Sequence, residues 1–381
     1  MDTKVKNSKP RMTNLEILRC LAMMMVVVLH YLDKGKLLPE LTGAEMGGIG
    51  IAAWLLEAFC IVAVNVYMLI SGYFLYTSSF KLSRLLQLFL QVWTYSVVIG
   101  LLAAFTGILP AAEVDTHYFL TLLFPISMGH YWFMTAYVFL YLLLPLIGAG
   151  VRKMSKEQMQ LTLALLLIVF CLMKTVLPVR LEMDSRGMDC LWYVCVFVAA
   201  AYIRRFGVRF LESKAKAFGL YLIGCLGIVA ECFVLRQIYL RTGSLDRILS
   251  ISLEYNHLLT FLAAVGLFSF FLRLKLSGRL SGLLARLAPY TLGVYLLHEN
   301  QGVRYAWENW LGADQISSIG GLLLGTILAA VSVFICGIIV EWLRSLLMRG
   351  IHFVLCKWSI YRRMVEKIDA VDGLFRISEK E

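Results

Sequence analysis

NLEILRCLAMMMVVVLHYLDKGK, residues 14–36, decides the fold class. Ten uncharged, largely apolar residues separate Arg19 from His30. An apolar run of about 20 residues crosses the hydrocarbon of a bilayer as one helix. In lipid every backbone group must be satisfied internally, which leaves helices and closed barrels. Comparable runs fall at 13–33, 48–76, 85–108, 131–150, 159–178, 188–203, 217–240, 252–272, 287–304 and 317–343. None shows the short alternating segments of a membrane barrel. The expected fold is therefore all-α, a polytopic membrane bundle of about ten transmembrane helices. The sixth run is short, and Pro289 interrupts the ninth.

Composition agrees. Of 381 residues, 60% are hydrophobic and 16% charged, against about 45–50% and about 25% in soluble chains. The mean hydropathy is +0.76. These values exclude a soluble enzyme, a disordered chain and a disulfide scaffold. The nine cysteines are dispersed with no CxxC pair, and most lie in apolar runs. They read as small buried residues. The polar, basic opening MDTKVKNSKPRM precedes the first run, and no small-residue cleavage pattern follows that run. A retained first span is expected.

The net charge is +11, and its distribution gives an orientation. With an even number of spans and the N-terminus inside, 26 Lys and Arg fall in inner segments and nine in outer ones, with Arg19 alone inside a span. Positive residues gather on the cytoplasmic side, so both termini are expected to be cytoplasmic. The basic excess is assigned to that membrane face, and no nucleic-acid partner is expected. The chain divides into a cytoplasmic tail at 1–12, a transmembrane domain at 13–345, and an amphipathic cytoplasmic segment and tail at 346–381. The stretch 343–364, LRSLLMRGIHFVLCKWSIYRRM, is expected to lie along the inner face. The polar residues from about Val365 are expected to be loose.

Ionisable residues within a span are functional candidates, because burying them in lipid is costly. His30 follows Arg19 by eleven residues, a rotation of about 1,100°, only ~20° past three full turns. The two therefore share one stripe of the first helix, about 16 Å apart along its axis. Glu16, one turn before Arg19, is placed to pair with it. Two readings stand: both side chains reach to opposite surfaces, or both face a common wet cavity. Asn65, before the small pair Ser71 and Gly72, is either interhelical glue or a substrate contact. His130, Tyr131 and Trp132 sit where an aromatic belt belongs. His298, Glu299 and Asn300 follow LGVYLL near the end of the ninth span. His257, beside Glu254 and Asn256, lies near the end of the eighth. No HExxH, CxxC pair, P-loop, Rossmann glycine pattern or GxSxG elbow occurs. No metal is expected, and nucleotide hydrolysis and dinucleotide redox are unsupported.

In combination these residues resemble the membrane-bound acyltransferase-3 family, whose members O-acylate sugars and other cell-surface groups. Arg19 and His30 match an Arg-x10-His pattern in the first helix. Asn65 with ISGYFL at 70–75 resembles the second-helix motif. YWFMTAYVFLYLLLP at 131–145 resembles the fourth-helix motif, and LGVYLLH at 292–298 the late one. One departure stands out. Where many relatives carry Arg-x-x-Arg after the second helix, FKLSRLLQ at 80–87 keeps Arg84 but has Gln87, with Lys81 as a possible compensation.

The resemblance implies an acyl-CoA donor, commonly acetyl-CoA, entering from the cytoplasmic side. It implies a hydroxyl acceptor on an envelope glycan or lipid-linked sugar outside, in a cell-membrane enzyme. His30 is then the general base, with an acyl-His30 intermediate as a second route. Asn65 or Tyr131 is the candidate oxyanion donor. Arg19, Arg84 and Lys81 are candidates for donor binding. Glu16, Trp132, His130 and His298 are candidates for substrate contacts. A transporter or flippase of an envelope precursor is the main alternative, since ten spans with internal charges suit it. The inverted repeat common among transporters is not visible. A partner-binding membrane protein would leave the Arg19–His30 stripe unexplained.

Overall fold

The computed structural model describes residues 12–43, 45–177, 182 and 184–376. Lys4, Lys6, Lys9, Arg11, Arg180 and Lys380, counted above for orientation, lie outside the described residues. The chain is 77% helix, and no strand occurs among the described residues. In order, the helices are α1 Thr13–Lys34, α2 Gly48–Cys60, α3 Ala63–Leu75, α4 Leu82–Phe105, α5 Thr116–Leu123, α6 Trp132–Lys153, α7 Lys156–Leu167 and α8 Met173–Val176. They continue with α9 Cys190–Phe206, α10 Lys214–Thr242, α11 Leu258–Leu272, α12 Arg279–Leu287, α13 Thr291–His298, α14 Trp307–Trp310, α15 Ile319–Leu355 and α16 Ser359–Leu374.

Among the described residues, nine helical stretches are long and apolar enough to cross a membrane. This is a polytopic membrane bundle. The sixth expected span is α9, whose 17 residues reach about 25 Å, short of the ~30 Å hydrocarbon. Its residues 192, 193 and 195–201 are buried, so it packs among other helices rather than against lipid.

The crossing Asp246–Leu272 opens with two 3-10 turns before α11, and two more are broken. Gly48–Leu75 bends between α2 and α3, and Arg279–His298 bends at a 3-10 turn, Ala288–Tyr290. Pro289 causes the second break, because it cannot donate a helical hydrogen bond. That crossing ends at His298 rather than at 304, so Glu299 and Asn300 lie in the turn that follows.

The last crossing also departs from expectation. The stretch from Leu343 was expected to lie along the inner face as a separate helix. Instead α15 runs unbroken for 37 residues, about 55 Å, because nothing between 343 and 355 stops a helix. Of the residues from Val365, expected to be loose, those up to Leu374 belong to α16, which returns to α4 through Asp372 and Ser83, and residues 377–381 lie outside the described residues.

The core gathers around α1 and α3, which contribute Leu15, Leu18, Val27, Val66, Met68 and Leu69 to it. Small residues bring α13 and α15 together. A Cβ on Gly337 would collide with Val294, and one on Gly293 with Glu341 and Tyr95. Such contacts stand in for the hydrophobic driving force that lipid removes.

Candidate active site

Arg19 and His30 both line a single cavity of about 1,020 Å³. Small-molecule sites usually run about 300–1,000 Å³, so this one suits a large ligand. The shared stripe of α1 faces this space. Met23 and Val26 of α1 line it between the two polar residues, and Tyr67, Trp132, Tyr255 and Tyr295 close it with aromatic surface. At the Arg19 end, Tyr67 donates to the Arg19 carbonyl at 2.9 Å, and Glu16 accepts from the Arg19 guanidinium at 2.9 Å.

At the other end the chain folds α13 back onto α1. His30 Nδ1 lies 2.9 Å from His298 Nε2 and 3.3 Å from Glu299 Oε1. His298 Nδ1 lies 2.6 Å from the Val294 carbonyl oxygen. That oxygen only accepts, so His298 Nδ1 carries a hydrogen and, in the neutral ring, Nε2 carries a lone pair. His30 Nδ1 must then donate, and both of its neighbours are acceptors. Neutral His30 is thereby held with its free lone pair on Nε2, the arrangement a general base needs. Lys34 forms an ion pair with the same Glu299 oxygen. The His30 side chain is 19% exposed, the Glu299 side chain 6%. The imidazole is open to the cavity, and its supporting carboxylate is not.

His30, His298 and Glu299 offer three ligand atoms within 4.8 Å of one another. No sequence spacing announces this group. The nitrogens that would ligate a cation here already hydrogen-bond each other, and Lys34 supplies positive charge to the carboxylate.

The other expected site residues divide. Arg84 and Trp132 line the cavity, and Trp132 stacks on Tyr255 at 5.5 Å. Gln87, at the position where the family pattern has its second arginine, lines it too. Lys81 is not among the lining residues; its backbone N–H donates to the Tyr141 hydroxyl at 3.1 Å. Asn65 is wholly buried away from the cavity. Its Nδ2 donates to the Tyr255 carbonyl at 2.7 Å and its Oδ1 accepts from Trp192 Nε1 at 2.9 Å. The glue reading describes this placement. The Tyr131 hydroxyl donates to the Leu296 carbonyl at 2.9 Å and accepts from Asn300 Nδ2 at 3.0 Å, clamping α13 to the start of α6.

His130 stacks on Tyr131 at 4.0 Å. Its Nε2 accepts from the Gln301 N–H at 2.9 Å, so Nδ1 donates to Ser96 Oγ at 3.0 Å. Burial, with the nearby Arg304 adding, pushes its pKa down to about 3. His130 is a neutral strut between α4 and the turn after α13. His257 is wholly buried, 3.4 Å from Glu231, and does not line the cavity.

A family profile described as an acyltransferase domain matches residues 12–343. The chain belongs to the acyltransferase-3 family. No curated protein and no solved structure matches it. This multi-pass membrane protein is therefore an acyltransferase, one that moves groups other than aminoacyl groups from a donor to an acceptor. Sequence reasoning left several residues of this site without a role. Glu299 meets His30 and Lys34, which lie one turn apart on α1, only because segments 265 or more residues apart in the chain come together. Tyr295 lies within the LGVYLLH motif, one turn before His298. It lines the cavity with its ring 6.2 Å from that of His298. A motif tyrosine one helical turn from a motif histidine was the available signal.

Proposed function

We propose that this acyltransferase moves an acyl group, commonly acetyl, from acyl-CoA to a hydroxyl of an envelope carbohydrate or lipid-linked sugar at the cell membrane. The donor enters from the cytoplasmic, basic end. One observation carries the reading: a guanidinium and a tautomer-locked imidazole sit ~16 Å apart on one wall of one large cavity. A ligand that puts phosphate at the first and a reacting carbonyl at the second needs a long flexible arm, as acyl-CoA has. Arg19 and Arg84 receive phosphate, which planar guanidinium groups suit.

In the reaction, His30 Nε2 takes the proton of the acceptor hydroxyl as its oxygen attacks the thioester carbonyl. The C–S bond then breaks, and the thiolate leaves with the proton that His30 returns. Glu299 and His298 stabilise the transient imidazolium through Nδ1–H. The carbonyl oxygen's developing charge needs a donor. Tyr295 is better placed for this than Asn65 or Tyr131, whose polar atoms are engaged elsewhere. No metal takes part in this scheme.

His30→Ala should abolish transfer of label from acetyl-CoA to membrane glycans while the protein remains folded in the membrane. A general base is worth about 10²–10⁴-fold, so a variant retaining near-full activity removes His30 from the chemistry. Arg19→Lys should weaken donor use, because the bidentate fork is lost. An unchanged KM and rate for acetyl-CoA would remove Arg19 from the donor site.

A further inference from the structure

The cavity does not end where the family domain ends. The domain match stops at residue 343, yet later residues form much of the wall. Arg344, Arg349 and His352 line it from the far end of α15, and Tyr361, Val365 and Ile368 line it from α16. The helix α16 is fixed across this opening. The Asp372 carboxylate accepts from the Ser83 N–H at 3.2 Å and from Ser83 Oγ at 2.5 Å. Phe375 packs on Phe80 with ring centroids 5.0 Å apart, and His352 Nδ1 lies 2.8 Å from the Tyr361 hydroxyl. Ser83 and Arg84 at the start of α4 line the facing wall.

The charges at this end are unevenly satisfied. Arg344 is held by both oxygens of Glu341 at 2.7 and 2.8 Å, and Arg19 by Glu16. Among the described residues, Arg84 and Arg349 have no carboxylate within ion-pair distance. Asp369 is the one acidic residue among those lining the cavity. Arg349 Nε donates to the Ser345 carbonyl at 3.2 Å, and with neither Arg84 nor Arg349 neutralised by a carboxylate, the two guanidinium groups on this wall form a site for a polyanion.

We propose that residues 344–374, appended to the family domain, form with Arg84 the site that takes the phosphate-bearing nucleotide end of the acyl donor. In this arrangement α16 is a wall of the donor site, pinned to α4 by Asp372, and Arg349 and Arg84 are its phosphate ligands. The assignment rests on acyl-CoA being the donor. It adds that donor affinity depends on residues outside the family domain. Arg349 is exposed on the helix surface, so its replacement leaves the bundle packing untouched.

The test is direct binding, without turnover, to the detergent-solubilised full chain, using CoA and pantetheine as probes. Losing one charged hydrogen bond is worth roughly tenfold or more. Arg349→Ala is expected to weaken CoA binding by about that factor and to leave pantetheine binding unchanged, since pantetheine lacks the nucleotide and its phosphates. Asp372→Ala, which frees α16, should weaken CoA in the same selective way. His30→Ala should bind CoA as the unsubstituted protein does. If Arg349→Ala and Asp372→Ala bind CoA with unchanged affinity while the unsubstituted protein binds it well, the appended wall is not the nucleotide site, and the donor reading survives. If the unsubstituted protein binds no CoA, both fall together.

Discussion

His298 shows what one side chain does for another here. It is not among the cavity-lining residues, so its contribution passes through His30. Removing it frees the His30 ring to rotate and to adopt the other tautomer. His298→Ala should lower kcat by about 10–100-fold, less than loss of the base itself, with donor KM little changed. His298→Gln keeps an acceptor for His30 Nδ1–H and should recover part of the loss. Equal kcat for the alanine variant and the unsubstituted protein would show that the ring is held by something else. The His30–His298–Glu299 group makes a second forecast. Activity should survive exhaustive chelation, whereas added Zn²⁺ should inhibit by taking the nitrogen lone pairs that the relay uses. Loss of activity on chelation, restored by a metal, would replace the base with metal chemistry.

Glu308, outside the spans on α14, gives a pH signature at the same scale. It is buried, and burial, the largest cause, raises its carboxyl to about 7 from 4.5, with Lys34 opposing and Asp33 adding. Between those two values the folded chain holds a proton that the unfolded chain releases. The contribution of this carboxyl to stability is therefore fully present below about 4.5, falls as pH rises to about 7, and is absent beyond. Glu308→Gln should match the unsubstituted protein near the bottom of that window and exceed it in thermal unfolding above the top. Equal stability on both sides would mean the carboxyl is not perturbed.

At the scale of elements, the bundle uses buried ions and small residues where a soluble core would use bulk. Lys174 at the end of the α7–α8 crossing donates to Asp184 at 2.6 Å and to Asn256 Oδ1 at 2.7 Å, and forms an ion pair with Glu254. This joins the segment before α9 to the one before α11, which carries Tyr255 into the cavity wall. Lys174→Met leaves two buried carboxylates without the ammonium between them. It should cost about 3–5 kcal/mol of stability, read as a lowered unfolding temperature; a loss below about 1 kcal/mol would make the cluster a surface-like pair.

How far the sequence reveals such elements depends on the range of the interaction. Arg19 and His30 were legible as a pair because helical geometry is local: eleven residues fix the shared stripe. The crossings were legible because lipid demands long apolar runs. The fit of His298 to His30, the clamp of Tyr131 on Leu296 and the return of α16 were not, since each joins residues far apart in the chain. Asn65 was ambiguous because an amide that glues helices and one that binds substrate have the same side chain. The α15 continuation was misread because basic residues among apolar ones suggest an interfacial helix, although helix length is set by the absence of a breaker.

For the whole molecule, the direction of acyl transfer follows from which side of the membrane each end of the cavity serves. The positive-inside count predicts Arg84, Arg349 and α16 on the cytoplasmic side, and Lys36, beyond His30, on the other. Both Lys36 and Arg363 are exposed, so cysteines introduced there should react freely. With the unsubstituted chain as background, Lys36→Cys should be labelled by a membrane-impermeant maleimide added to intact cells. Arg363→Cys should react only in inverted vesicles. The opposite pattern would invert the molecule and place the donor end outside, where acyl-CoA is not supplied. Labelling of both positions from one side would mean that an even number of crossings lies between them instead of the nine counted, and the seventeen-residue α9, which is not among the nine long apolar stretches, would be the first place to look.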